Sequence, residues 1–186
     1  MSLIPAFEIG VWNAWILMSI VILHPLLMIL TSKETLKRMG PAADPTKPDP
    51  FPRITWVLAF IYSLFLPLKL GTIWFYVGLP IYLLGLIMFT IAQVNFATAP
   101  FDEPVTKGIY RYSRHPFYLA QFLIPAGVGI ASASWIFLLV SVVISIYALT
   151  QIIPEEHACL EKYGDAYRDY MDRTPRWIGI PKSGEK

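Results

Sequence analysis

The sequence predicts an all-α membrane protein with five transmembrane helices, the last two forming a helical hairpin, followed by a cytoplasmic helical C-terminal segment. The composition is one observation behind this fold: 55% of the 186 residues are hydrophobic and 15% are charged. Soluble domains carry about 25% charged residues. The other two observations are five apolar runs, each near the ~20 residues of a membrane helix, and a one-sided distribution of basic residues.

The five apolar runs predict five helices. Proline interrupts the second, third and fourth runs, which neighbouring helices can tolerate in a membrane. The short link Ser132-Ala133-Ser134 makes the last two a tight hairpin. The alternative for the short fourth run is a re-entrant element that does not cross. In chain order, the runs are residues 9–30, 54–70, 73–97, 116–132 and 135–153.

The basic residues predict the orientation of these helices. With five crossings, the first loop, the third loop and the tail share one side, which then holds all 15 basic residues except Lys69. The positive-inside rule makes that side cytoplasmic and leaves the N-terminus outside. The first apolar run has no basic n-region and is too long for a cleavable signal peptide.

Beyond the fifth run, the tail is predicted to form a helix-turn-helix segment. Apolar and aromatic residues recur at roughly helical spacing between residues 155 and 172, and Gly164 predicts a break. This helix-turn-helix segment is expected to cover the cytoplasmic face.

Composition also excludes some classes of function. A net charge of +2 is too small to indicate a nucleic-acid partner. The single cysteine, Cys159, permits no intrachain disulfide. With three scattered histidines beside it, the chain lacks the closely spaced ligands of a structural zinc site, so no metal is expected.

Polar residues concentrate in two tracts, residues 102–118 and 151–176. The tracts flank the predicted hairpin, so folding of the hairpin should bring them together. We therefore expect one bipartite site at the membrane boundary.

His115-Pro116 is predicted to begin the fourth helix, because proline is favourable at a first helical position. The free N–H groups and dipole of a helix start favour an anion, such as the carboxylate of a cofactor. Arg111 and Arg114 strengthen this interpretation. Alternatively, these arginines only mark topology and bind lipid headgroups.

Three other kinds of polar residue could contribute to the site. Glu155 and Glu156 follow the fifth apolar run, where carboxylates must be paired or hydrated; the alternative is a solvated helix end. Gln151 is favoured as an interhelical hydrogen-bonding group. Several tyrosines could stack on a purine or could form an interfacial aromatic belt: Tyr110, Tyr118, Tyr163, Tyr167 and Tyr170.

Several short motifs stand between Asn95 and the end of the chain: Gly108-Ile109-Tyr110, Arg114-His115-Pro116-Phe117-Tyr118, Glu155-Glu156, Tyr163-Gly164-Asp165-Ala166-Tyr167, Tyr170, Arg173 and Pro175. Taken together, these motifs resemble the isoprenylcysteine carboxyl methyltransferase family, within a wider group that includes phospholipid methyltransferases. The resemblance covers the chain from Asn95 onward and suggests a short, prokaryotic-type member.

The resemblance implies a single domain over residues 1–186, with variable helices in 1–98 and a cofactor-binding half in 99–186. It implies S-adenosyl-L-methionine as methyl donor, with S-adenosyl-L-homocysteine as product. It further implies a lipophilic or prenylated acceptor that enters from the membrane lipids. The cofactor residues implied are Asp102, Glu103, Pro104, Val105, Tyr110, Arg114, His115, Pro116, Phe117, Tyr118 and Glu155.

The chemistry expected is transfer of the methyl group to a carboxylate of the isoprenylcysteine type. The basic side chains that could neutralise an anionic acceptor are Arg111, Arg114 and Arg173. If the acceptor is an amine, Glu155 or Glu156 could act as base. Gln151, the candidate substrate-binding residue, stands where eukaryotic prenylcysteine enzymes have an arginine, and Ala120 stands where the family usually has glycine.

Three alternatives remain open. The first is an N-methyltransferase that acts on a phospholipid or another amine. The second is an NADPH-dependent oxidoreductase resembling membrane sterol reductases, which share an Arg-His-Pro stretch and a run like Lys162-Tyr163-Gly164. The third is a non-enzymatic membrane protein, although a transporter would more often place ionisable groups mid-membrane.

Overall fold

A computed structural model describes residues 9–21, 23, 51–100 and 102–181. Within these residues all regular elements are helical, which confirms the predicted all-α class. The far end of the first predicted helix and most of the proline-rich first loop lie outside the described residues. The helices are α1 (described at residues 15–21), α2 (Phe51–Ser63), α3 (Ile73–Thr98), α4 (Pro116–Ala131), α5 (Trp135–Tyr163) and α6 (Asp165–Arg173).

Within the part of the chain that the structure describes, two helices, α3 and α5, are long and apolar enough to cross a membrane. Their outward faces expose large apolar side chains, including Ile87 and Leu139, the latter 63% exposed. Apolar surface of this extent calls for a lipid or protein partner. The predicted crossings by α2 and α4 remain unconfirmed, because these helices have only 13 and 16 residues.

The second helix ends earlier than predicted. The apolar run continues to residue 70, but α2 stops at Ser63. Pro67 has no N–H and disfavours helical conformation in the residue before it. The chain there turns back along the start of α1, where Asn13 Nδ2 donates to Leu64 O at 2.7 Å and Ala14 N donates to Leu66 O at 2.8 Å.

The centre of the fold is the contact between α3 and α4. Glycines allow their backbones to approach closely: a Cβ at Gly78 would overlap the backbone of Ala131, and one at Gly127 would overlap that of Tyr82. Small residues serve this purpose in membrane helix pairs. Tyr82 then extends to α1, where its hydroxyl donates to Leu17 O at 2.7 Å.

The hairpin between α4 and α5 has the predicted position. Ala133 takes a left-handed conformation with φ 52°, and Ser134 caps α5 by accepting a hydrogen bond from Phe137 N. Farther along, Ser141 Oγ donates to Phe122 O at 3.1 Å and ties α5 to the turn of α4 that contains Pro125. The hairpin therefore brings the start of α4 beside the end of α5.

The end of the chain confirms the predicted helix-turn-helix segment. Gly164, at φ 55°, separates α5 from α6. Helix α5 extends ten residues past its apolar run, to Tyr163. In this extension Cys159, Leu160 and Tyr163 pack on a cluster around Tyr167 and Tyr170, so tertiary packing stabilises these turns where hydropathy predicts none.

Candidate functional site

The start of α4 forms the first part of the site. His115 is the N-cap residue and Pro116 occupies the first turn, as predicted. The backbone N–H of His115 donates to Ser113 Oγ at 3.1 Å. Before it, the loop passes close to the end of α3: Gly108 has φ +61°, and a Cβ there would overlap the Asn95 side chain.

The end of α5 supplies two carboxylates that point in different directions. Consecutive residues of a helix are about 100° apart around its axis. Glu155 lines a cavity beside α4 and is 38% exposed, whereas Glu156 faces the protein interior and is 4% exposed. The two adjacent glutamates therefore have different environments.

Glu156 is the centre of a buried ion cluster. Its Oε1 lies 3.1 Å from His115 Nε2 and 3.2 Å from Arg114 Nη2. Arg176 binds both oxygens: Nη2 lies 2.7 Å from Oε2, and Nε lies 3.3 Å from Oε1. This hydrogen-bonded carboxylate raises the pKa of Arg176. Because an ionised carboxylate only accepts, the ring nitrogen Nε2 of His115 must donate.

The tail after α6 packs directly on the loop before α4. Arg114 N donates to Pro175 O at 3.1 Å, and Gly179 N donates to Tyr112 O at 3.0 Å. Ser113 Oγ donates to Arg176 O at 3.4 Å. These bonds confirm that the two polar tracts meet at one site.

Between α3 and the start of α4 lies a cavity of about 320 Å³. Its volume falls within the ~300–1,000 Å³ typical of small-molecule sites, which are mostly apolar with a few polar groups. Its lining residues are Phe89, Gln93, Tyr110, Arg114, His115, Pro116, Phe117, Tyr118, Gln121 and Glu155.

One edge of the cavity carries a short polar chain. The Tyr118 hydroxyl donates to Glu155 Oε2 at 2.7 Å, and His115 Nδ1 lies 3.8 Å from the same oxygen. The half-exposed carboxylate of Glu155 keeps acceptor capacity for a ligand, because an ionised carboxylate has about four lone-pair sites.

A cluster of tyrosines supports the loop beneath the cavity. The Tyr170 hydroxyl donates to Tyr110 O at 2.7 Å, and the Tyr167 ring packs against that of Tyr170. Burial raises the pKa of all three phenols, so they remain neutral at physiological pH. The cluster fixes the position of Tyr110, whose side chain lines the cavity.

Seven of the predicted site residues do not line this cavity, and their roles stay predictions; one of them is Glu156, which lies in the buried ion cluster. Asp102 is exposed, whereas Glu103 and Pro104 line a separate cavity of about 70 Å³. Val105 packs on the tyrosine cluster. Arg173 pairs with Asp169 on the exposed side of α6, and Gln151 Nε2 donates to Thr150 Oγ1 at 3.1 Å.

Four residues of the site were not predicted. Phe89 and Gln93 come from α3, and Gln121 comes from the interior of α4. Both glutamines are polar residues inside apolar runs, and this was the sequence signal that could have indicated a role in the site. Arg176 had none beyond its charge, because its contact with Glu156 depends on the path of the tail.

Comparison with known proteins supports the sequence resemblance. Protein-S-isoprenylcysteine O-methyltransferase of Schizosaccharomyces pombe is 35% identical over 78 residues, which cover 41% of this chain and 32% of that protein. The match thus covers about a third of the relative's own length. A family model described as phospholipid methyltransferase matches residues 70–166, from the start of α3 to the start of α6. Because this match covers more than half of the chain, the protein belongs to the phospholipid methyltransferase family.

Proposed function

We propose that this protein is an integral membrane enzyme that transfers the methyl group of S-adenosylmethionine to a lipophilic acceptor. The acceptor proposed is a carboxylate of the isoprenylcysteine type. The observation that carries the proposal is the cavity of about 320 Å³ between α3 and α4, with the half-exposed carboxylate of Glu155 on its wall. Membership of a methyltransferase family supports the same reaction class.

The residues of the cavity fit an S-adenosyl compound. Aromatic rings of Phe89, Tyr110 and Phe117 offer surfaces for a purine. Glu155 can accept hydrogen bonds from amino or hydroxyl groups. Arg114 is 8% exposed, and its Nε–H has no hydrogen-bond partner within the described residues. This donor, with the helix start at Pro116, suits a carboxylate.

When bound, S-adenosylmethionine supplies an electrophilic methyl group on a positively charged sulfonium. The protein's contribution is to hold the acceptor close to it, at about 3–3.5 Å in a reactive arrangement, and to exclude water with apolar and aromatic walls. A carboxylate acceptor is already ionised at neutral pH, since the pKa of a carboxylic acid in water is about 4. In that case no residue needs to remove a proton.

Methylation of an amine, including a phospholipid headgroup, is the second candidate, and the description of the matching family favours it. An amine must lose a proton before or during transfer. Glu155 faces the cavity and is the better placed carboxylate for this task. Glu156 has both oxygens bound by Arg176, Arg114 and His115, so we assign it to positioning these groups.

The proposal includes five membrane crossings, with the N-terminus outside and the site at the cytoplasmic face. The hydropathy of α3 and α5 supports two of these crossings. The one-sided distribution of basic residues supports the orientation. The two polar tracts meet at one end of the α4–α5 hairpin, as a site on one side of a membrane requires.

The test is incubation of the purified enzyme with deuterated methyl donor and membrane lipid extract, followed by mass spectrometry. Parallel reactions contain N-acetyl-farnesylcysteine or phosphatidylethanolamine. A labelled methyl ester of the farnesylcysteine supports the first acceptor class, and a labelled N-methyl lipid supports the second. Absence of labelled product in all three reactions, together with no binding of S-adenosylhomocysteine, would reject the proposal.

Replacement of His115 by alanine is expected to abolish methylation without unfolding the protein. His115 lies on the cavity wall, but Arg114 and Arg176 still pair with Glu156 in its absence. Methyl transfer in detergent should fall about 100-fold, the loss that a displacement of a reacting group by about 1 Å can cause. Circular dichroism should be unchanged, and full activity would refute the role of His115.

Replacement of Glu155 by glutamine is expected to weaken cofactor binding. The amide keeps the size of the side chain but removes the charge and one acceptor oxygen. A hydrogen bond to a charged group contributes about 1.5–3 kcal/mol, so the Kd of S-adenosylhomocysteine should rise at least tenfold by calorimetry. Tyr118→Phe is the companion variant, because it removes only the hydroxyl that holds Glu155. An unchanged Kd for Glu155→Gln would remove Glu155 from the binding site.

A further inference from the structure

Gln93 places an unpaired hydrogen-bond acceptor in the wall of the cavity. The residue is 2% exposed and lies on α3, five residues before the helix ends. Its Oε1 is buried and has no hydrogen-bond partner within the described residues. Such an atom costs about 1–3 kcal/mol, and buried polar atoms in folded proteins nearly always have a partner.

The surroundings of Gln93 indicate where the missing partner belongs. The residue lines the cavity together with Phe89 of its own helix and Tyr110 of the loop. By contrast, Thr90 on the same helix bonds Leu86 O at 2.8 Å and needs no outside partner. Asn95 Nδ2 on the same helix is also buried without a partner within the described residues, but Asn95 lines the separate cavity of about 70 Å³. Of these two unpaired groups on α3, Gln93 is the one in the wall of the larger cavity.

We propose that Gln93 is a ligand-binding residue whose Oε1 accepts a hydrogen bond from an N–H or O–H group of the molecule in the cavity. This inference rests on the proposed function and names a hydrogen bond from α3, whereas the other proposed hydrogen-bonding groups come from the loop, α4 and α5. S-adenosyl compounds carry such donors in amino and hydroxyl groups, and an amine acceptor carries them as well. An ionised carboxylate carries none.

The test compares Gln93→Met with Thr90→Val. Methionine has nearly the volume of glutamine but cannot form the hydrogen bond, and volume-conserving exchanges are well tolerated in packed interiors. We expect Gln93→Met to raise either the Kd of S-adenosylhomocysteine or the KM of the methyl acceptor about tenfold. Thr90→Val should leave both values unchanged.

A second measurement uses the ligand-free protein. If Oε1 of Gln93 has no hydrogen-bond partner in the ligand-free protein, Gln93→Met removes an unsatisfied polar atom. The Tm of the variant in detergent should then be equal to or higher than that of the wild type. If the side chain served the fold alone, the Tm should fall. Thus weaker ligand binding with an undiminished Tm supports a binding role.

The outcomes are separable. A raised Kd for S-adenosylhomocysteine locates the donor on the cofactor, and a raised acceptor KM alone locates it on the acceptor. Unchanged Kd and KM, or a lowered ligand-free Tm, would overturn the assignment of Gln93. Failure of the wild type itself to bind S-adenosylhomocysteine would instead reject the proposed function.

Discussion

Replacement of Glu156 by alanine is expected to lower the free energy of unfolding by about 3–5 kcal/mol, the usual cost of removing one partner of a buried ion pair. The carboxylate is 4% exposed and binds His115, which is 2% exposed, and Arg114, which is 8% exposed. Without the Glu156 carboxylate, the guanidinium of Arg114 stays buried and loses its ion-pair partner. Arg176 is 43% exposed and can return to water, so it adds less.

This loss can be measured by denaturant unfolding in detergent, followed by circular dichroism. Glu156→Gln removes the charge but keeps the shape of the side chain. It should lower the free energy of unfolding by less than the alanine variant does, since the amide oxygen still accepts a hydrogen bond. Asp169→Ala is the matched control, because that carboxylate pairs with Arg173 on the exposed face of α6. Such surface pairs contribute about 0–1 kcal/mol. Equal losses for Asp169→Ala and Glu156→Ala would contradict a buried cluster.

Replacement of Gly127 by alanine is expected to destabilise the protein by about 1–3 kcal/mol through overpacking. The new methyl group would overlap the backbone of Tyr82, including Tyr82 Cα at 2.6 Å. Backbone atoms cannot move aside as a side-chain end can, so α3 and α4 must separate. The intrinsic helical preference of alanine, worth about 0.5–1 kcal/mol, offsets only part of this cost.

Gly129→Ala provides the control for Gly127→Ala on the same helix. Its methyl group would lie 3.0 Å from both Leu138 Cδ2 and Leu138 N, so its tightest backbone contact is longer than the one between a Cβ at position 127 and Tyr82 N. Both variants gain the same helical preference, so the difference in their Tm values reports the backbone overlap. A Tm for Gly127→Ala equal to or above that of Gly129→Ala would show that the α3–α4 contact is looser than described.

Sequence patterns located α3 and α4 to within one residue at each predicted end, because proline and apolar periodicity act locally. For α5, the apolar run ends at residue 153, and the helical spacing of residues 155–172 with the break at Gly164 was the signal for the turns beyond it. The pattern did not predict that these turns continue α5 without interruption, which they do in contact with the tyrosine cluster. Hydropathy overextended α2, because Leu64 and Leu66 are apolar yet bond the segment before α1 instead of continuing a helix.

For the site, the position of the polar tracts around a hairpin was sufficient to predict that they meet. The contribution of single residues was not predictable in the same way. Arg173 and Arg176 are three residues apart, but Arg173 ends α6 and faces outward, whereas Arg176 lies beyond the helix and reaches Glu156. Which of two nearby arginines enters a cluster depends on the course of the tail, and no local pattern encodes it.

The shortness of α4 has a consequence for how a lipophilic acceptor is delivered. Its 16 residues span about 24 Å, less than the ~30 Å hydrocarbon thickness of a bilayer. On the proposed topology, and with its Ser132 end at the outer membrane surface, α4 would place its His115 end below the headgroup level. A prenyl or acyl chain can then arrive by lateral diffusion within one leaflet, and the enzyme avoids the extraction cost of about 0.8 kcal/mol per CH₂.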